Sequence, residues 1–141
     1  MCFIMTPEQI DLVRKSFDAL WPFRRKLAAQ FYGRFFELVP DARRLFTSDM
    51  DKQQLKLMDA IAAIVGALDQ REMFQSIISH TGRKHAEFGV READFVAFGD
   101  ALLWGLQQQL GPGFSPELKQ AWTALYDAVQ AEMMRAAKTQ A

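Results

Sequence analysis

Cysteine and histidine are both scarce in this chain. Cys2 is the only cysteine, and His80 and His85 are the only histidines among 141 residues. A single cysteine allows no internal disulfide, which fits a reducing compartment. It also rules out attachment of a cofactor through a C-x-x-C-H motif. The two histidines lie five positions apart; on one helix they point about 140° away from each other and cannot share a metal. A histidine-built zinc cluster is therefore excluded. Excess charge is lacking too, since 17 basic residues face 17 acidic ones. That balance gives no electrostatic footprint for nucleic acid or an anionic membrane surface. No apolar run approaches the roughly 20 residues that span a bilayer. The opening MCFIM lacks the length and basic flank of a signal peptide, so the cytoplasm is the expected location. Internal repeats, low-complexity stretches and alternating strand patterns are missing as well.

Half of the residues are hydrophobic, including 12 Phe and 3 Trp, enough for a single domain to bury a substantial core. Apolar positions recur at helical spacing throughout. Thr6-Pro7-Glu8-Gln9 reads as a capping box opening a first helix, with Ile10, Val13, Phe17 and Leu20 inward. Residues 1–5 are expected to be a disordered extension, with Met5 an alternative start. Pro22 opens a second helix with Leu27, Phe31, Phe35 and Leu38 inward, Tyr32 and Phe36 forming an adjacent stripe. Pro40 ends it, and a short helix through Leu45 and Phe46 follows. The next helix carries Leu57, Ile61, Ile64 and Leu68; another runs over 72–88 and stops at Gly89. Residues 92–110 form a further helix, Gly111-Pro112-Gly113 a turn, and Ser115 caps the last helix, with Leu118, Trp122, Leu125, Val129 and Met133 inward. The sum is about seven helices, two of them short, in one all-α domain over 6–138.

Three polar side chains interrupt these apolar faces. Ile78, Thr81, His85 and Phe88 form one stripe, so His85 points where a core is expected. Spacing alone leaves two readings. The imidazole is a packed residue bonded to a carbonyl or water, or it is a metal ligand aimed by its helix. With no second histidine in reach, the ligand role needs a metal that a cofactor brings with it. Gln53 extends the Leu57–Ile61–Ile64 stripe by one turn. It lies at the solvent edge or is aimed at something polar inside. Tyr32 either reaches water through its hydroxyl or turns it inward.

In order and spacing these segments resemble the globin family, in particular bacterial single-domain haemoglobins and the globin domain of flavohaemoglobins. QFYGRFFELVPDARRLF is similar to the second and third globin helices, with Phe31-Tyr32, Pro40 eight residues beyond Tyr32, and Phe46 six beyond Pro40. QQLKLMDAIAA resembles the distal helix, with Gln53 and Leu57 four apart. RKHAEF is similar to the proximal segment and SPELKQAWTALY to the start of the final helix. The resemblance covers residues 6 to about 138 and implies a globin fold around a haem pocket, holding haem b and its iron without a covalent link. His85 would be the proximal iron ligand, and Phe46 would stack on the haem ring from a corner set by Pro40. Tyr32 and Gln53 would face the open iron site, with Leu57 as its apolar wall. Val90, Phe95 and Phe98 would line the pocket, and Lys84 would contact a propionate.

The resemblance also implies a function. A hydroxyl and an amide donor in a dry pocket would stabilise the negative charge that oxygen acquires on ferrous iron, giving tight oxygen binding with slow release. Carbon monoxide carries less charge and would gain less. Conversion of nitric oxide to nitrate, the flavohaemoglobin activity, is the alternative. The chain stops at Ala141 with no flavin or nicotinamide domain, so that activity is expected to require a separate reductase. Flavohaemoglobins place a Tyr and a Glu behind the proximal histidine; those positions hold Phe95 and Thr139 here. Their replacement removes much of the push towards peroxidase-like chemistry. A haem-based gas sensor or signalling module is the third reading, disfavoured because no residues remain for an output domain. Monomer and homodimer both suit the sequence.

Overall fold

The computed structural model describes residues 5–46, 49–87 and 89–138. Among them the regular structure is entirely helical: α1 (Pro7–Leu20), a 3₁₀ turn at Trp21–Phe23, α2 (Arg24–Leu38), a 3₁₀ turn at Pro40–Leu45, α3 (Met50–Gly66), α4 (Arg71–Glu87), α5 (Glu92–Leu110), a 3₁₀ turn at Gly111–Gly113 and α6 (Pro116–Lys138). The expected all-α architecture is present, with six α-helices among the described residues instead of about seven helices. The short helix expected through Leu45 and Phe46 is a 3₁₀ turn ending at Leu45. Pro22 belongs to a separate turn ahead of α2. Both prolines sit at the start of a turn, where a missing N–H costs little. Of residues 1–5 only Met5 is described, and its side chain is buried.

Local chemistry sets the helix ends. At α1 the Gln9 N–H donates to Thr6 Oγ1 and the Thr6 N–H to Gln9 Oε1, both at 3.1 Å. At α6 the Leu118 N–H donates to Ser115 Oγ at 3.2 Å. Gly89, just past α4, has a φ of 75°, a left-handed geometry that a side chain would strain. The Val90 N–H then turns back to the His85 carbonyl at 3.2 Å. Phe88, which its spacing puts on the His85 stripe, lies outside the described residues.

Two helix pairs carry most of the packing, α4 on α6 and α2 on α5. α1 crosses α6, where the Trp122 Nε1–H donates to Ser16 Oγ at 2.9 Å inside the core. Arg14 closes the end of α3, donating to the Val65 and Gly66 carbonyls and pairing with Asp69 at 3.0 Å. Glu132 of α6 is 1% exposed, bonded by Arg135 and by Ser79 of α4. The Arg135 guanidinium outweighs burial and holds this carboxyl below the usual carboxylate range, with Ser79 adding to the effect.

The α4–α6 crossing is a backbone contact. A Cβ on Gly82 would stand 2.7 Å from the Met133 carbonyl oxygen and 2.8 Å from its Cα. Neither atom can move without moving α6. Gly82→Ala is therefore expected to cost about 1–3 kcal/mol through forced separation of the helices, more than the up to about 1 kcal/mol gained in helix propensity. Equilibrium urea unfolding checks this: the midpoint should fall at unchanged slope. A midpoint at or above that of the parent chain would refute the close crossing.

Candidate functional site

α2 to α6 enclose a cavity of about 290 Å³, near the lower end of the range for cofactor and small-molecule sites. Its wall is mostly apolar, with contributions from Ile61, Ile64, Ile77, Leu102 and Leu125. The polar groups that enter it are few, and each is held by a specific neighbour.

Tyr32 comes from the buried face of α2 and is 3% exposed. The rings of Phe31, Phe46 and Phe36 box it in at 4.9, 5.4 and 5.9 Å. Gln53, near the start of α3, donates from Nε2 to the Tyr32 hydroxyl oxygen at 3.3 Å. The hydroxyl thus accepts the amide and keeps its own hydrogen to donate. Burial pushes the Tyr32 pKa up, and the Gln53 bond offsets part of that rise, so the hydrogen is present at neutral pH. Leu57, one turn further along α3, supplies apolar wall.

His85 lies in the last turn of α4. Its Nδ1 is 2.7 Å from the Thr81 carbonyl oxygen, one turn back. A carbonyl can only accept, so in the neutral ring Nδ1 carries the hydrogen and Nε2 keeps the lone pair. The Phe95 ring stands 6.1 Å from the imidazole at 31°. Among the described residues no group of three or more His, Cys, Asp or Glu could hold a metal ion. A metal bound through His85 would have to arrive in a cofactor that supplies its other ligands.

The cavity brings together most of the residues singled out in the sequence: Tyr32, Phe46, Gln53, Leu57, His85, Val90, Phe95 and Phe98 all line it. Lys84 does not; it is exposed on α4 and outside the lining. His80 is exposed as well. Thr139 lies outside the described residues. Several lining residues went unassigned in the sequence. Lys56 follows Gln53 by three and Thr81 precedes His85 by four, so helical spacing held the signal for both. Asp94 is 2% exposed and lines the cavity despite its charge. Burial raises its pKa, but the Arg91 N–H at 2.9 Å and guanidinium at 3.3 Å outweigh that and hold the carboxyl below its usual range. Tyr126, four residues after Trp122 on α6, also lines the cavity.

The globin family profile matches residues 29–133 of the chain. Neuroglobin of Tetraodon nigroviridis is 32% identical over 139 residues, covering 89% of this chain and 87% of the relative. Neuroglobin of Danio rerio is 30% identical over 138 residues, covering 88% and 87%. Among solved structures, a hexacoordinated haem protein from an anhydrobiotic tardigrade, crystallised at pH 4, superposes with a TM-score of 0.86. It covers 96% of this chain and 97% of that one; at 15% identity the likeness concerns the fold. Among the described residues no helix is long and apolar enough to cross a membrane.

Proposed function

The chain belongs to the globin family, and from that premise we propose that it is a haem protein that binds diatomic gases and retains oxygen with slow release. One observation carries the reading: a single mostly apolar cavity holds both a hydroxyl–amide donor pair and an imidazole whose Nε2 lone pair is uncommitted. This donor set fits haem b better than a bare metal, which would find a single histidine there and, among the described residues, no group of three or more His, Cys, Asp or Glu. Haem bound without a covalent link would supply an iron with a position open to oxygen, nitric oxide or carbon monoxide.

The residues of the chain supply the rest. The Thr81 carbonyl fixes the His85 tautomer and the ring's orientation, leaving Nε2 as the ligand atom. Phe46, packed on Tyr32, is set to stack on the macrocycle, while Val90, Phe95 and Phe98 fill the wall around it. Lys84, exposed next to His85 in the last turn of α4, would be the residue to meet a propionate at the surface. Tyr32 donates its hydrogen to a gas that draws charge onto its outer atom, and Gln53 keeps that hydroxyl aimed. This pair is also what supports the resemblance to bacterial single-domain haemoglobins. The hydrogen-bond partner of His85 is a neutral carbonyl. That favours oxygen retention over nitric oxide turnover.

With His80 exposed, no second histidine reaches the site. The ferrous protein is expected to be five-coordinate, unlike the hexacoordinated tardigrade protein. Visible spectra of the purified protein test the reading: as isolated, after dithionite, and after carbon monoxide. A haem Soret band, a five-coordinate ferrous form and a shift on adding carbon monoxide are expected. A colourless chain that takes up no added hemin would reject it.

A further inference from the structure

Balanced charge over the whole chain conceals a local excess. Trp21-Pro22-Phe23-Arg24-Arg25-Lys26 turns the corner from α1 into α2, and its three bases are the longest run of consecutive like charges in the sequence. Phe23 is 56% exposed, the most exposed of the large hydrophobic side chains among the described residues. A lone open ring on a protein surface is ordinary. This one adjoins three cations, and with Pro22 they line an open surface depression.

The fold does not neutralise these bases. Arg24 is tied into the corner: its Nη1 donates to the Trp21 carbonyl at 2.9 Å, and its guanidinium lies 4.6 Å from the centre of the Trp21 ring. Arg25 and Lys26 are exposed, and among the described residues no carboxylate forms an ion pair with any of the three. The first turn of α2 holds no acidic residue, and the helix dipole repels cations there. α5 passes beside the start of α2, Gly105 against Leu27, and from Ala101 to Pro116 the chain carries no charge at all. An anionic bilayer complements such a corner. Its phosphates shift laterally to meet bases that point in different directions, and its headgroup boundary admits an apolar ring at any point. An acidic protein would need a pocket for the ring in register with its carboxylates.

We propose that the corner from Trp21 to Lys26 is a docking surface for anionic phospholipid, with Phe23 entering the headgroup boundary and Arg24, Arg25 and Lys26 meeting lipid phosphates. The inference stands independently of the haem reading. Co-sedimentation of the full chain with vesicles tests it. The chain should bind vesicles of equal parts phosphatidylglycerol and phosphatidylcholine at low salt. Binding should weaken steeply as salt rises and be far weaker on phosphatidylcholine alone. Arg25→Gln/Lys26→Gln, which spares the Arg24 contacts with Trp21, should lower the partition coefficient about 20–30-fold, at about fivefold per basic residue. Arg25→Lys keeps the charge and should bind like the parent chain. Phe23→Ser should bind severalfold more weakly and keep the steep salt dependence. Equal binding to neutral vesicles, full binding by the Arg25/Lys26 double variant, or no binding to anionic vesicles at low salt would each overturn the proposal. A chain that ignores the vesicles and binds poly-glutamate would overturn it too, making the corner a face for an acidic protein.

Discussion

His85→Ala yields a folded chain that no longer keeps haem through gel filtration. The folding half of this result follows from the bonding of the side chain. The imidazole is half-buried in the last turn of α4, and its hydrogen bond goes to a carbonyl of its own helix. Losing one such bond costs about 1 kcal/mol, and alanine returns part of that as helix propensity. The binding half follows from coordination. Removing a partner that merely orients a ligand costs about 10–100-fold in metal affinity, and removing the ligand itself should exceed that. Haem transfer to an excess of apomyoglobin should therefore run more than roughly a hundredfold faster than in the parent chain. His85→Gly with free imidazole added should recover the parent spectrum, because the small ligand fits the gap. Unchanged haem retention in His85→Ala would return the histidine to the packed-core role that spacing alone allowed.

Tyr32→Phe leaves haem in place and lets oxygen escape about tenfold to a hundredfold faster. A hydrogen bond to a charged group contributes about 1.5–3 kcal/mol, and affinity changes of this kind appear mainly in the off-rate. Carbon monoxide draws less charge and should leave at a rate much closer to that of the parent. The fold should tolerate the change. Phenylalanine keeps the ring contacts with Phe31, Phe36 and Phe46, and half-buried Gln53 can turn its amide towards water. Gln53→Leu should have a smaller effect in the same direction, since it frees the hydroxyl to rotate without removing it. Stopped-flow displacement of both gases decides the matter: equal acceleration of oxygen and carbon monoxide would sink the charge argument.

What the sequence made legible was local. The Thr6–Gln9 box, the Ser115 cap and the Gly89 stop each depend on a few neighbouring residues, and all three appear where their residue types predict. His85, Gln53 and Tyr32 stood out because each puts a polar group on an apolar stripe, and the three do share one cavity. What stayed hidden depends on which helices cross and how closely. Gly82 and Gly99 look like weak points in helices until Met133 and Tyr126 are seen against them. Glu132 reads as a surface charge until Ser79 and Arg135 enclose it. Tyr126 reads as one more stripe residue until its hydroxyl is seen on the Phe95 carbonyl. The short helix after Pro40 is present as a 3₁₀ helix over Pro40–Leu45; a short apolar pair after a proline does not distinguish its hydrogen-bond pattern from that of an α-helix.

α4 stops at Glu87, two residues beyond His85. The imidazole therefore hangs from the end of the helix that carries about half a negative charge. A positive charge held on that ring gains about 0.3–1 kcal/mol from the aligned peptide dipoles. If haem iron is held by this ring, that gain would lower its one-electron reduction potential by about 10–40 mV and tilt its balance towards the ferric side.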